Sequence, residues 1–290
     1  MSWMSRSAEA LSIGTHPSCL VGHDKHEHHI VDIDLHGRPP TIPDYPGVPE
    51  DLRVRFKIGA WDSWLYADSH TYCQGDGVLS KSLDSDGVWE SYDTVLWLKL
   101  LSTGEGAVID FGANAGWYTH MSALNGHEVL AVEADDEFVR LLRVGIEANR
   151  IQDMVYVAKG WVGGDSPVLS AEDAPRVRLV KADVEGQEDK CMRVCGDLFA
   201  AKKIDYAMIE VTPSFRDNYP DLIRWVQGFG YNAYIVPDKA WSHGQEGALK
   251  TALKKYEDDP LGVTRSRLIV NPEEVQSLHQ VTVLFEAQIG

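Results

Sequence analysis

The sequence is poor in cysteine and in positive charge, and it has no long apolar run. Its four cysteines are too few and too irregularly spaced for a disulfide framework or for paired C-x-x-C zinc ligands: Cys19, Cys73, Cys191 and Cys195. Lysine and arginine total 27 against 44 aspartates and glutamates, so the formal net charge is −17. A negative field of this size opposes nucleic acid and anionic membranes, and we expect neither as a partner.

Two further absences concern the compartment. No segment is long and apolar enough for a membrane-spanning helix. The first residues, MSWMSRSAEALSIG, contain no continuous apolar region of the kind found in signal peptides. We therefore expect no membrane span and a cytoplasmic protein. The sequence makes no prediction about the oligomeric state.

The composition of the chain changes near residue 75. The stretch 23–29 is rich in histidine, but its spacing matches no metal site, so we predict a solvated segment. Five prolines between residues 38 and 49 indicate an extended linker. The alternation from Leu52 to Ile58 predicts a strand of a small sheet, which 64–66 continues. We expect residues 1–75 to form an N-terminal extension with a small β element that contributes substrate or oligomer contacts. Residues 76–290 would then form the main domain.

Short apolar runs alternate with helical patterns from Ala107 onward. The predicted strands are 107–109, 129–132, 154–158, 177–182, 204–209, 231–236, 267–270 and 281–285. Segments with helical spacing lie before or between these strands, at 88–101, 117–124, 135–146, 191–199 and 222–229. Asn271-Pro272 begins another short helix. This alternation predicts an α/β fold with a doubly wound, mostly parallel sheet.

The stretch 106–116, GAVIDFGANAG, combines a buried strand, a tight turn and the start of a helix at Trp117. Backbone N–H groups and the positive end of a helix meet at such a turn, where small ligands bind. In open α/β sheets, ligands bind outside the carboxyl ends of the strands. Carboxylates follow or end four of the predicted strands: Asp110, Glu133, Asp183 and Glu210.

The glycine turn does not match the dinucleotide fingerprint. That fingerprint is G-x-G-x-x-G with an acidic residue about 20 residues later, whereas this turn reads G-x-N-x-G. Glu133 lies at the end of the next strand, where a carboxylate can bind ribose hydroxyls. Asp110 is a poor neighbour for a pyrophosphate and suits a cationic amino group. An adenosine that carries an amino acid and no phosphate satisfies both carboxylates, and S-adenosylmethionine is that ligand.

Four motifs together resemble the FkbM-type family of S-adenosylmethionine-dependent methyltransferases. They are VIDFGANAGWYT, AVEAD, VKADVEGQE and MIEV, and the similarity covers about residues 86–236. The resemblance implies a class I, Rossmann-like methyltransferase fold with a C-terminal antiparallel strand. It also implies O-methylation of a sugar, a glycolipid or another small metabolite. Residues 181–183 read Lys-Ala-Asp where the family often has Lys-Ile-Asp.

The resemblance also implies roles for individual residues. The methionine part of the cofactor would lie against Asp110, Gly112, Ala113, Asn114 and Gly116. The ribose and adenine would lie near Glu133, Ala134, Asp135, Lys159 and Gly160. We expect Asp183 to face both cofactor and acceptor as the base or orienting group, with Glu185 as the second catalytic candidate. On the acceptor side we expect Glu210, Trp117 and His120.

Several alternatives stay open at this point. Glu188 is predicted to cap the following helix, and His120 has an ordinary buried histidine as its alternative. Mg²⁺ is possible but not expected, because no spacing of acidic residues demands a metal. The expected acceptor is a small molecule or a glycan. The alternative functions are methyl transfer to a protein, or a non-catalytic nucleotide-binding domain of the same fold.

Overall fold

The computed structural model describes residues 2–11, 53–58, 61–66, 89–163, 168–212, 218–236, 267–278 and 281–288. The histidine-rich stretch 23–29, the proline-rich stretch 38–49 and the segment 237–266 lie outside this part of the chain. None of the helices within the described ranges has the length and apolar character needed to cross a membrane.

Seven helices and ten strands lie in the described residues, together with a 3₁₀ helix at Pro272–Ser277. In chain order they are α1 (Trp3–Leu11), β1 (Arg53–Ile58), β2 (Trp61–Tyr66), α2 (Ser91–Ser102), β3 (Ala107–Phe111), α3 (Trp117–Leu124), β4 (Val129–Glu133), α4 (Asp136–Ala148), β5 (Val155–Lys159), β6 (Val177–Ala182), α5 (Glu188–Val194), α6 (Gly196–Ala200), β7 (Ile204–Val211), α7 (Tyr219–Gly228), β8 (Tyr231–Ile235), β9 (Arg267–Leu268) and β10 (Val281–Ala287).

Eight strands form one mixed sheet in the order β5-β4-β3-β6-β7-β10-β8-β9. The neighbours from β5 to β7 pair in parallel, whereas β10 pairs antiparallel with both β7 and β8. The predicted fold class, a mostly parallel doubly wound sheet with a C-terminal antiparallel strand, is thereby confirmed. The alternating segment before the main sheet also forms a strand, since β1 pairs antiparallel with β2.

The sheet is buried on both faces. Every residue of β3, β4 and β6 is buried, as the continuous apolar runs of these strands require. Helices α2, α3 and α4 cover one face, and they share a hydrophobic cluster with Val108, Leu179 and Met208. Helices α1, α5, α6 and α7 cover the other face, where Ile109 and Phe111 lie. The fold is therefore a three-layer α/β/α sandwich.

Two elements differ from the sequence-based expectation. Residues 3–11 form a helix whose apolar side belongs to the main core, and the indole N–H of Trp3 donates to the backbone oxygen of Ser170 at 2.9 Å. This part of the predicted extension therefore packs on the main sheet. The single helix expected over 191–199 is divided at Cys195 into α5 and α6.

Arg178 fixes the C-terminal end of α2 against the sheet. Its guanidinium donates to the backbone oxygen of Leu100 at 2.9 Å, to the carboxylate of Asp205 at 2.9 Å and to the hydroxyl of Thr103 at 2.5 Å. Arg178 precedes the middle of β6, so these bonds hold this end of α2 near the amino ends of the strands. The N-terminal end of α2, with Glu90 before it, consequently lies over the carboxyl ends.

Candidate functional site

The four carboxylates predicted at the strand ends lie on one face of the sheet. Side chains alternate along a strand, and the register pairs Asp110 of β3 with Lys181 of β6. Asp110 lies two residues after Val108, and Glu210 lies two residues after Met208, so each carboxylate shares the sheet face of that apolar residue. By the same spacing, Glu133 and Asp183 share the face covered by α2, α3 and α4. The structure therefore brings together Asp110, Glu133, Asp183 and Glu210 at one edge and on one side.

Gly112 allows the loop after β3 to touch the loop after β6. Its φ is 77°, and a Cβ built on it would lie 2.0 Å from the backbone oxygen of Asp183. The backbone N–H of Asp183 donates to the oxygen of Phe111 at 3.1 Å, which joins the same two loops. No side chain fits in this contact, so glycine at position 112 is a condition for placing Asp110 next to Asp183.

Asn114 explains the departure from the dinucleotide fingerprint. It lies in the left-handed region with φ of 51°, which asparagine tolerates better than most residues. Its backbone N–H donates to Oε2 of Glu133 at 2.7 Å, and its side-chain oxygen accepts from the N–H of Ala115 at 2.6 Å. The turn is thus held by a carboxylate on the neighbouring strand, in the position where a pyrophosphate site would need open N–H groups.

Glu133 links three of the predicted cofactor-binding segments. Its Oε1 accepts from the N–H groups of Ala134 and Asp135, each at 2.8 Å, while Oε2 accepts from Asn114. Burial raises the pKa of Glu133 above its usual value, and these backbone donors oppose the rise. Asp135 caps α4 as predicted, since its side chain accepts from the N–H groups of the first turn.

Asp110 is the most deeply buried of the four carboxylates, with 1% of its surface exposed. Its Oδ2 accepts from the hydroxyl of Thr119 at 2.6 Å. Within the described part of the chain, no donor bonds to its Oδ1. Burial raises the pKa of Asp110, and the ammonium of Lys181 opposes this effect. A buried carboxylate oxygen without a donor is rare in proteins and suits a cationic group of a ligand.

Lys159 and Gly160 lie beside Glu133, as expected for the adenine end of the site. Lys159 pairs with Glu133 in the β4–β5 register. The N–H of Gly160 donates to the backbone oxygen of Glu133 at 2.9 Å, and Lys159 forms an ion pair with Asp136. The next residue, Trp161, is one of the exposed large apolar residues, with 42% of its surface accessible.

Three carboxylates lie close together near the carboxyl end of β6, away from Glu133. One oxygen each from Glu90, Asp183 and Glu210 lies within 4.8 Å of the others. Lys181 donates to Oδ2 of Asp183 at 2.8 Å, and its ammonium lies 4.6 Å from the centre of the Tyr118 ring. The hydroxyl of Tyr118 donates to Oε2 of Glu90 at 2.6 Å. The start of α2, β6, β7 and α3 thus all contribute to one acidic pocket, and Lys181 is the lysine that the described residues place beside it.

Hydrogen bonds to Glu188 hold the loop after Asp183. Oε1 of Glu188 accepts from the N–H groups of Val184 and Gly186, both at 3.1 Å, and Oε2 accepts from the hydroxyl of Tyr219 at 2.8 Å. Glu188 is buried and lies in the first turn of α5, as predicted, but its side chain binds the preceding loop and Tyr219 instead of capping the helix. Glu185, in contrast, is exposed and has φ of 52°. Of the two catalytic candidates, Asp183 lies in the acidic pocket.

Two residues expected on the acceptor side are buried in the protein interior. The indole N–H of Trp117 donates to the hydroxyl of Thr94 at 2.8 Å, and the side chain is buried against α2. His120 is fully buried, and its Nδ1 lies 2.6 Å from the backbone oxygen of Gly116. Burial lowers the pKa of His120, so the ring is neutral. Trp117 thus joins α3 to α2, and His120 binds the turn before α3; a contact of either residue with the acceptor stays a prediction.

Lys181 is the residue of the pocket to which the sequence analysis assigned no functional role. It lies two residues before Asp183, so strand alternation alone places both on one face. Glu90, which the helix before β3 could place near the ligand, and Tyr118 of α3 reach the pocket through the packing of α2 and α3. Glu90 has φ of 45°, an unusual conformation for a residue other than glycine.

The comparisons with known proteins give only distant similarity. No family model matches the chain, and a search of curated proteins gives no significant match. Among solved structures, M. jannaschii TYW2 in complex with AdoMet is 12% identical with a TM-score of 0.42, covering 82% of this chain and 87% of its own. The METTL16 MTase domain is 14% identical with a TM-score of 0.37, covering 68% and 67%. Precorrin-6y C5,15-methyltransferase from Geobacter metallireducens GS-15 is 12% identical with a TM-score of 0.35, covering 49% and 71%. Likeness at this level carries no argument about function.

Proposed function

We propose that this chain is an S-adenosylmethionine-dependent O-methyltransferase that acts on a hydroxyl of a sugar, a glycoconjugate or another small metabolite. The observation that carries the proposal is Oδ1 of Asp110. It is buried, accepts no hydrogen bond from the described residues, and lies beside a glycine turn at a helix N-terminus. The resemblance of the motifs to the FkbM-type family supports the same function.

The residues of the site fit this cofactor. The carboxylate of Asp110 suits the amino group of its methionine part, and Gly112 leaves the backbone of the turn free of a side chain. Oε2 of Glu133 accepts one bond, from Asn114, and retains capacity for a ribose hydroxyl. Gly160 and Trp161 follow β5 next to Glu133, where they would border the adenine.

Methyl transfer to oxygen requires an acceptor hydroxyl in line with the methyl group and a group that accepts its proton. Bound S-adenosylmethionine would supply the electrophilic methyl group. Asp183 would accept a hydrogen bond from the hydroxyl and take its proton as the new bond forms. The ion pair with Lys181 occupies Oδ2 of Asp183, and the side chain remains 20% exposed at the edge of the sheet.

The acidic pocket supports a neutral acceptor over an anionic one. Glu90, Asp183 and Glu210 surround the position next to the proposed methyl group with negative charge. Phosphate or carboxylate groups would be repelled there, whereas sugar hydroxyls can donate to carboxylates. The net charge of −17 opposes nucleic acid as well.

The experiment is a methyl-transfer assay that measures formation of S-adenosylhomocysteine over a panel of monosaccharides, glycolipids and polyhydroxylated metabolites. An active acceptor should lose most of its turnover with Asp183→Asn, by about 10²–10⁴-fold for a lost proton acceptor. Glu185→Gln, on the same loop but exposed, is the matched control and should retain most of it.

Three results would contradict parts of the proposal. Methylation of a protein but of no small molecule would make the acceptor assignment wrong. Equal activity of Asp183→Asn and the unaltered protein would make the role of Asp183 wrong. Binding of S-adenosylmethionine without transfer to any acceptor, protein included, would favour a non-catalytic domain.

A further inference from the structure

Lys181 occupies an unusual position for a lysine. It lies in the middle of the sheet on β6, with 7% of its surface exposed. Lysine is rarely buried unless its charge is balanced. Its ammonium lies 2.8 Å from Oδ2 of Asp183 and over the ring of Tyr118. The charge of Lys181 is therefore held at one place between the proposed cofactor site and the acidic pocket.

Carboxylates approach this ammonium from each element packed around it. Asp110 comes from β3, Asp183 from the end of β6, and Glu90 from the residue before α2. Glu210 of β7 adjoins Asp183 and Glu90, and Tyr118 is the titratable group that α3 contributes. Asp93 of α2 lies on the same face, where its carboxylate accepts from Thr282.

The protonation state of Lys181 follows from these neighbours. Burial by itself would lower the pKa of its ammonium, but the charges of Asp183, Glu90 and Asp110 together raise it above the usual value. Lys181 is therefore a permanent cation and cannot serve as the base of the reaction. Its contribution must come from its charge and its hydrogen bonds.

A cation at this position counters the negative charge of the acidic pocket. Three carboxylate oxygens lie within 4.8 Å of one another, so ionisation of one disfavours ionisation of the next. A proton taken up by Asp183 would remove the group that orients the acceptor hydroxyl. Lys181 opposes this effect at Asp183 directly, and it opposes it at Glu90 through space.

We propose that Lys181 is a positioning residue for methyl transfer, which holds Asp183 at the acceptor edge and keeps Asp183, Glu90 and Glu210 ionised together. The inference rests on the proposed function, since it concerns the same site. It assigns a function to the lysine of the VKADVEGQE motif. A purely structural ion pair would contribute to stability but would not control the charge of the pocket.

The test requires no knowledge of the acceptor. S-adenosylhomocysteine has a neutral sulfur, whereas sinefungin carries an amine-bearing carbon at the corresponding position, close to where the methyl group of S-adenosylmethionine would be. The ratio of their dissociation constants, measured by calorimetry, therefore reports the negative charge of the pocket. The same ratio cancels effects on the amino-acid and adenosine parts, which both ligands share.

We expect the unaltered protein to bind sinefungin more tightly than S-adenosylhomocysteine, with a ratio that is constant between about pH 6 and pH 8 because the carboxylates stay ionised. With Lys181→Met the preference for sinefungin should fall at least about fivefold on going from the upper to the lower pH, because a carboxylate takes up a proton. Lys181→Arg keeps the charge and should behave as the unaltered protein. Adding Glu90→Gln to Lys181→Met removes one repelling charge and should make the ratio constant again.

The outcomes separate this inference from the proposed function. If neither ligand binds the unaltered protein, the proposed cofactor is wrong and the inference fails with it. If both bind and the ratio for Lys181→Met does not vary with pH, only the inference about Lys181 is overturned. If Lys181→Met does not fold, the unaltered protein alone still tests the proposal. A preference for sinefungin that falls severalfold between pH 8 and pH 6 in the unaltered protein would contradict it, because such a carboxylate would titrate in about this range.

Discussion

Replacement of Glu188 should show that one buried carboxylate holds the loop that carries Asp183. Its two oxygens accept three hydrogen bonds, from the N–H groups of Val184 and Gly186 and from the hydroxyl of Tyr219. Glu188→Ala removes both acceptor oxygens and all three hydrogen bonds, and each buried donor left without a partner costs about 1–3 kcal/mol. Burial raises the pKa of Glu188, so the native carboxylate already carries a desolvation cost that offsets part of this loss.

We therefore expect Glu188→Ala to lower the free energy of unfolding by about 2–5 kcal/mol. Glu188→Gln keeps one oxygen for the two N–H groups and should cost about 1–2 kcal/mol. Urea denaturation followed by circular dichroism measures both values. Glu185→Ala, in the same loop but exposed, is the control and should change stability by about 0.5 kcal/mol or less. A loss below about 1 kcal/mol for Glu188→Ala would refute the assignment of these hydrogen bonds as the support of the loop.

Three further predictions follow from single contacts. Gly112→Ala should lower stability by more than about 2 kcal/mol in thermal unfolding, because its Cβ would lie 2.0 Å from a backbone oxygen; Gly126→Ala, with φ of 88° but no atom within 4 Å, should cost only the conformational strain of about 1 kcal/mol. Equal losses of stability in Gly112→Ala and Gly126→Ala would contradict the close contact between Gly112 and the backbone oxygen of Asp183. Arg178→Met should cost about 3 kcal/mol in urea denaturation, because it removes the buried ion pair with Asp205 and leaves that carboxylate only its pair with the more exposed Arg176. A change under about 1 kcal/mol would show that the pair is dispensable. The affinity for S-adenosylhomocysteine should rise with pH above the usual pKa of aspartate, because burial raises the pKa of Asp110 and the amino group of the ligand binds the ionised carboxylate. A calorimetric pH series on Asp110→Asn should lack this rise. If the rise persists in Asp110→Asn, another group causes it.

The alternation of strand and helix signals predicts most of the fold. Continuous apolar runs such as 107–109 and 177–182 occur because parallel strands are buried on both faces. The position of Asp110 before a glycine turn likewise predicts the site, since local geometry puts the carboxyl end of a strand next to a helix N-terminus. Alternation along a strand also predicts that Lys181 and Asp183 share a face.

The remaining features depend on packing between distant segments. Helix α1 joins the core through Trp3, Met4 and neighbouring apolar residues, but the apolar side of a nine-residue helix does not indicate which part of the chain it packs against. Glu90 reaches Asp183 through the packing of α2, which Arg178 holds at its C-terminal end and Tyr118 at its N-terminal end. His120 and Trp117 were assigned to the acceptor side on proximity in sequence, yet a helix that begins at Trp117 directs both side chains into its own packing.

The most direct test of the account is calorimetric titration of S-adenosylhomocysteine into the unaltered protein and into Asp110→Asn. The unaltered protein should bind one equivalent, and Asp110→Asn should bind at least about tenfold more weakly, because a charged hydrogen bond to the amino group contributes about 1.5–3 kcal/mol. Asp153→Asn, exposed before β5 at the opposite edge of the sheet, is the control and should bind as the unaltered protein does. No binding to the unaltered protein, or equal binding to Asp110→Asn, would contradict the claim that this site holds S-adenosylmethionine.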